Sequence, residues 1–177
     1  MRLFIFILLI MAVSCEEMTT GIVFSDPNTF RDERDNNLYK TVNISNNIWF
    51  AENFRYIPDS GYYQSSDNVL YDVYAAVECC PDGWHLPTLS EWELLIEDVG
   101  SEYAELNRRG LNLSFTGWFQ TEYIGQYSRG AWWTSTKQSD SHGGYTWIFY
   151  ISDRSSDISL MNFNNGKMAC IRYIKDK

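Results

Sequence analysis

The chain has 177 residues, 45% of them hydrophobic, which is enough for one domain with a substantial core. Its formal net charge of −9 argues against nucleic-acid recognition, since little here would neutralise phosphates, and against electrostatic attachment to anionic lipid. Aromatic content is high at 16%, with 7 Trp, so binding through aromatic faces becomes a question for the sites below.

The first segment reads as a targeting signal rather than as structure. Arg2 gives a positive start, and Leu3 to Val13 is an apolar run too short to span a bilayer comfortably. Ala12, Val13 and Ser14 then precede Cys15, a pattern resembling a bacterial lipobox, although Ala12 stands where Leu is usual. Residues 1–14 are thus expected to be a lipoprotein signal peptide, with Cys15 acylated and two or more acyl chains giving a stable anchor. The rival is an ordinary cleaved signal with Cys15 incidental. Residues 15–23 read as a tether, and Glu16 and Glu17 directly after the cysteine suggest surface export. The single domain is expected over 24–177.

In chain order, Ile22 to Phe24 is one short strand candidate, and Thr29 to Asn37 is charged and turn-rich. Leu38 to Ile44 and Ile48 to Ala51 read as a hairpin turning at Asn46-Asn47. Pro58 to Asn68 is a loop, and the helical spacing of Leu70, Val73, Tyr74 and Val77 predicts a short helix over Tyr71 to Glu78. Gly83 to Leu86 leads as a short strand into the clearest helix, Thr88 to Val99. Thr88 and Glu91 have capping-box spacing, Trp92, Leu95, Ile96 and Val99 make one face, and Gly100 stops it. Tyr103 to Arg109 is a further turn or two of helix. Leu113 to Gln120 alternates around Gly117 and Trp118, and strands are expected at Ala131 to Ser135, Tyr145 to Ile151 and Ile158 to Phe163. Asn164-Asn165-Gly166 then signals a hairpin into a closing strand, Met168 to Ile174. Strands, then helices, then strands make the fold class α+β.

Catalytic constellations are weak. Cys79 has no Lys, Arg or His beside it, while Glu78 and Asp82 would raise its pKa. His85 reads as a half-buried packing residue. His142, in a Gly/Ser/Asp loop near Asp140, is a candidate ligand contact but too little for a metal site. No Gly-x-Ser-x-Gly elbow occurs, Glu91 is better explained as a cap than as an acid, and Asp32, Glu33 and Asp35 alternate with Arg31 and Arg34 in a self-neutralised turn. Trp84, Trp92 and Trp133 are expected in the core. Trp132, facing the other way in the same strand, is the candidate exposed aromatic, with packing under a loop as the equal alternative. Tyr62, Tyr63, Tyr123 and Tyr127 lie in loops, and Tyr123 and Tyr127 join Trp132 and His142 as candidate ligand contacts.

Several stretches, taken in order, resemble one family: RDERDNNLYKTVNISNNIWFAENFRY, YAAVECCPDGWHLPTLSEW, GAWWTST and ACIRYIKD. The chain from Phe24 to Asp176 looks like the Fibrobacter succinogenes major paralogous domain of secreted and lipid-anchored Bacteroidetes-type proteins. The most specific elements are C-P-x-G-W-x-L-P-T-x-x-E-W and the Trp49 to Asn53 stretch. Ala169 stands where the family usually has Arg, Asn36-Asn37 where it has Asp-Gly, and Ile44-Ser45 where it has Ile-Gly.

The resemblance implies a C-type-lectin-like fold, two main helices packed on short antiparallel sheets, related to formylglycine-generating enzymes. It also implies a disulfide between Cys80 and Cys170, with Cys79 to Cys170 as the alternative; the large closed loop would contribute roughly 4–5 kcal/mol in the ideal chain-entropy limit. Such a bridge would leave no free pair for the thiol and metal chemistry of those enzymes. The sugar-binding tripeptides of calcium-dependent lectins are absent, no cofactor is expected, and a structural calcium ion stays open. The expected protein is an envelope or outer-membrane module, touching the membrane through its lipid alone, that binds a glycan, a peptide or a surface protein. An enzyme of the formylglycine-generating type and an envelope assembly component are the alternatives.

Overall fold

Aromatic and β-branched residues at alternate positions carry much of this chain into strands, and three short amphipathic segments into helices. The computed structural model describes residues 26–140 and 143–177. The signal segment, Cys15, the tether, the Ile22 to Phe24 strand and His142 lie outside the described residues. The architecture is mixed and sheet-rich with few helices, compatible with α+β.

The first strands are β1 (Thr29–Arg31), β2 (Leu38–Ile44) and β3 (Asn47–Phe50). The turn between β2 and β3 falls at Ser45-Asn46, one residue earlier than expected. Both residues take positive φ, 55° and 60°, which suits the right-handed twist of a tight hairpin and which Asn tolerates well. β4 (Tyr62–Gln64), inside the stretch expected to be loop, pairs with β5 (Val69–Tyr71), which directly follows it and takes up Tyr71, the expected first residue of the helix. Helix α1 (Val73–Glu78) starts where Asp72 accepts from the N–H groups of Tyr74 and Ala75. β6 (Trp84–His85) leads into α2 (Leu89–Val99), whose start has the expected reciprocal cap between Thr88 and Glu91. Next come α3 (Tyr103–Arg108), β7 (Trp118–Phe119) and β8 (Tyr123–Ile124). The long strands β9 (Arg129–Asp140), β10 (Gly143–Ser152) and β11 (Ser155–Asn164) make one meander, and β12 (Ile174–Lys175) completes a five-stranded sheet ordered β1-β2-β3-β12-β6.

The centres of β9 and β10 are buried on both faces, whereas β11 is mostly exposed. Ala131, Trp133, Ile148 and Phe163 point into one apolar cluster, with Val73, Ala75 and Ala76 of α1. Trp132, Phe149 and Ile151 point into the other, against Trp92 and Leu95 of α2 and Leu106 of α3. Adjacent residues face opposite ways on a strand, so Trp132 and Trp133 part as expected. Yet neither meets solvent, because helices cover both sides. Both tryptophans are 0% exposed, which corrects the reading of Trp132 as an exposed ligand contact. Their N–H groups are satisfied internally, Trp132 by Asn53 Oδ1 at 2.8 Å and Trp133 by the Tyr71 carbonyl at 2.6 Å.

The expected closing strand, Met168 to Ile174, is extended but does not belong to one sheet. Met168 bridges Phe119, Ala169 bridges Tyr71 and Cys170 bridges Trp132, before Ile174 pairs with both Trp49 and His85. This segment stitches the separate sheets together. Asn164-Asn165-Gly166 turns the chain, with Asn164 Oδ1 accepting from the Gly166 N–H, but Met168 pairs with β7 and no hairpin follows.

The Cys80–Cys170 bridge implied by the resemblance is not formed; Cys79, Cys80 and Cys170 are free thiols. Alternation along the last segment turns Cys170 into the Trp132 cluster, whereas Cys79 and Cys80 border the other one. Cys80 Sγ donates to the Trp84 carbonyl at 3.0 Å, and Trp84 pairs with Lys175. Five residues of extended chain separate Lys175 from Cys170, roughly 16 Å, well beyond the span of one disulfide.

Candidate functional site

Asn53, the last residue of the Trp49 to Asn53 element, is the hub of a polar centre. Its Oδ1 accepts from Trp132 Nε1 and from Arg172 Nε at 2.9 Å. Its Nδ2 donates to Asn68 Oδ1 at 3.0 Å and lies 3.4 Å from Cys170 Sγ. Arg172 reaches this point because alternation along the terminal segment turns it away from Ile171 and Tyr173. The guanidinium also donates to the carbonyls of Phe50 (3.1 Å) and Asn112 (2.8 Å). One side chain therefore ties together the end of β3, the loop after α3 and the last segment.

Arg172 is 1% exposed, and among the described residues no carboxylate pairs with it. Burial pulls its pKa down to about 9, which still leaves it protonated at neutral pH.

These groups form the floor of an open cleft of about 290 Å³, with Glu52, Arg55, Asp67 and Asn112 among its walls. Arg55 pairs with Glu52 at 3.1 Å. Asp67, Asn68 and Ser114 also wall a second depression of about 280 Å³, bounded by Phe115, Gln126 and Tyr127. The two make one run of surface, polar at the Arg55 end and aromatic at the Tyr127 end. Tyr127 is 75% exposed and sits at φ 65°, a left-handed conformation uncommon outside Gly, Asn and Asp. Its backbone N–H donates to the Phe115 carbonyl at 2.9 Å, holding the residue in place.

Of the candidate ligand contacts, Tyr127 lines this surface and Trp132 lies beneath it. Tyr123 is half-buried, its hydroxyl donating to the Thr116 carbonyl and its ring 5.7 Å from that of Tyr63, and it is not among the residues that wall this surface. Tyr62 and Tyr63 are half-buried in β4.

Two further clusters were only partly legible. Asp32, 2% exposed, pairs with Arg34 at 2.7 Å, and Arg34 also donates to the Cys79 carbonyl and lies over the Tyr56 ring at 4.3 Å. Burial pushes Asp32 up, but the hydrogen bonds and charge of Arg34 outweigh it and leave the pKa lowered. Of the charges in this turn, Arg34 neutralises Asp32 alone, and it brings Cys79 a cation that sequence neighbours do not supply. Burial still dominates at Cys79 and leaves its thiol raised; it pushes Cys80 to about 12 and Cys170 to about 11.

His85 is half-buried as expected, but it is ion-paired as well as packed. Nδ1 lies 2.6 Å from Asp176 Oδ1 and Nε2 lies 3.0 Å from Glu91 Oε1. Burial disfavours the imidazolium, but the two carboxylates outweigh it and raise the pKa. Asp176 is 91 residues away in sequence, so only the β6–β12 pairing reveals it. Among the described residues no group of three or more His, Cys, Asp or Glu is placed to hold a metal ion, and no helix is long and apolar enough to cross a membrane. Comparison with known proteins finds no matching family model, no matching curated protein and no matching solved structure.

Proposed function

We propose that this chain is a binding module of the bacterial envelope, lipid-anchored at Cys15, that takes a glycan in the cleft between Arg55 and Tyr127. The observation that carries the reading is the juxtaposition of fixed amides with an exposed tyrosine. Asn53 is joined to Asn68 by one hydrogen bond, and Asn112 is held through its backbone by Arg172. Ring hydroxyls both donate and accept, and an array of amides and carboxylates answers both. The Tyr127 face offers an apolar platform for one side of a sugar ring. Preorganised groups lose little entropy on binding, which favours capture by a cleft this open.

The family resemblance and its lectin-like fold accord with this reading, as do a mixed sheet-rich architecture and the Asn53 element that builds the cleft. The formylglycine-generating alternative gains free thiols from the structure. However, thiol chemistry requires thiolates, and burial raises the pKa of all three cysteines. Cys170 also lies in a different cluster from the other two.

The test is a glycan array probed with the full-length protein and with Tyr127→Ala. Retention of a glycan by the wild type, weakened about tenfold or more in the variant, is expected, the scale of one lost aromatic contact with its buried area. Retention that ignores the substitution would move the site elsewhere. Capture of a protein partner with no glycan bound would favour the assembly alternative.

A further inference from the structure

The floor of the cleft holds a charge that nothing described nearby neutralises. A guanidinium has five N–H hydrogens. Three of those on Arg172 are spent on Asn53 Oδ1 and the carbonyls of Phe50 and Asn112, all neutral acceptors. One hydrogen on each Nη is left without a partner among the described residues. Glu52 acts on Arg172 only from a distance, because its carboxylate is engaged by Arg55. Burying a cation among neutral groups is costly unless a counter-charge arrives, and removing solvent strengthens whatever attraction that counter-charge makes. A clamp for three backbone segments could be built from neutral side chains at lower cost.

We propose that Arg172 makes the cleft selective for an acidic sugar, a uronic-acid type residue whose carboxylate meets the guanidinium at the cleft floor while a neighbouring ring lies on Tyr127. The inference rests on the glycan-binding reading of this same cleft. A carboxylate matches the unspent hydrogens because charge-assisted bonds to guanidinium are the strongest that a cleft of this polarity can offer. Two carboxylates at the walls set the orientation. Glu52 is neutralised by Arg55, so the Arg172 end admits an anion. Asp67 is exposed between the two depressions and is left to neutral hydroxyls.

The test is calorimetric titration of the full-length protein with tetragalacturonic acid and with its fully methyl-esterified form, which has the same ring and linkage but no charge. The wild type is expected to bind the acid about tenfold or more tightly than the ester, the scale of one charge-assisted hydrogen bond. Replacing Arg172 would cut three ties at once, so the discriminating variant is Asn68→Asp. Its carboxylate still accepts from Asn53 Nδ2, which keeps the local structure, and it places a fixed negative charge beside the floor. The ratio of acid to ester affinity is expected to fall to about one in it, with the ester affinity of the same variant as the reference. Equal affinity of the wild type for acid and ester would overturn the inference and leave the glycan reading standing, with Arg172 as a structural tie. If neither probe binds and the array shows no glycan whose retention depends on Tyr127, both readings fall.

Discussion

Asn53 is the residue whose loss should be felt most widely. It gives one oxygen to two donors, of which Trp132 and Arg172 are both fully buried, and its amide nitrogen fixes Asn68. Asn53→Ala is expected to cost about 2–4 kcal/mol in urea unfolding, because it strands a buried indole N–H and a guanidinium N–H without acceptors. A loss below about 0.5 kcal/mol, the level of an ordinary surface change, would mean that water replaces the amide and that the cleft is less fixed than drawn. In the sequence the Trp49 to Asn53 stretch is marked by a resemblance alone, and the role of Asn53 is not marked at all. The oxygen's partners are 79 and 119 residues away in sequence, and no local pattern reports contacts at that range.

At the scale of elements, α2 shows what local physics can specify. Its cap, its apolar face and its stop are all written within about a dozen residues, and the structure reproduces them. Beyond its role in the cap, Glu91 also faces His85, and His85 faces Asp176, so the start of the helix is tied to the β6–β12 edge. The pH dependence follows from both partners. His85 has a folded pKa above its ordinary 6.5, so its contribution is complete below 6.5 and is lost as pH rises through the folded value. Glu91 has a folded pKa below its ordinary 4.5: burial pushes it up, but hydrogen bonds from Thr88 and His85 outweigh that. Its contribution is present above 4.5 and is lost as pH falls through the lowered value. The pair therefore stabilises most between 4.5 and 6.5. Thermal melts of His85→Gln against the wild type should differ most in that window and converge at alkaline pH. A constant difference at every pH would make His85 a packing residue alone. Short elements were harder to read. Strand β4 hides in a loop-like stretch of Ser, Gly and Asp, and Gly117 belongs to no regular strand although alternation runs through it. Gly117 takes φ 72°, and a Cβ there would lie 2.5 Å from the Ile124 carbonyl oxygen, so the close approach of that loop decides the residue.

The whole molecule is held by burial on both faces of the β9–β10 pair and by the terminal segment that stitches the sheets, without a disulfide among the described residues. In denaturant and without reductant, alkylation is expected to label Cys79, Cys80 and Cys170 together; in the native state it should be slow, since two of the three are buried and all three thiols are raised. A pair that resists label until reduced would contradict this arrangement. The amino-acid sequence by itself determined what depends on near neighbours: the α2 cap, the hairpin of β2 and β3, the alternation that parts Trp132 from Trp133, and the neutralised Asp32–Arg34 turn. Only the tertiary structure decided which faces are covered, and so that Trp132 is core, that Cys170 and Cys80 lie apart, and that Arg172 sits uncompensated beneath a cleft. The reason is physical. Periodicity fixes the direction in which a side chain points, but what it meets there is supplied by chain that arrives from far away in sequence.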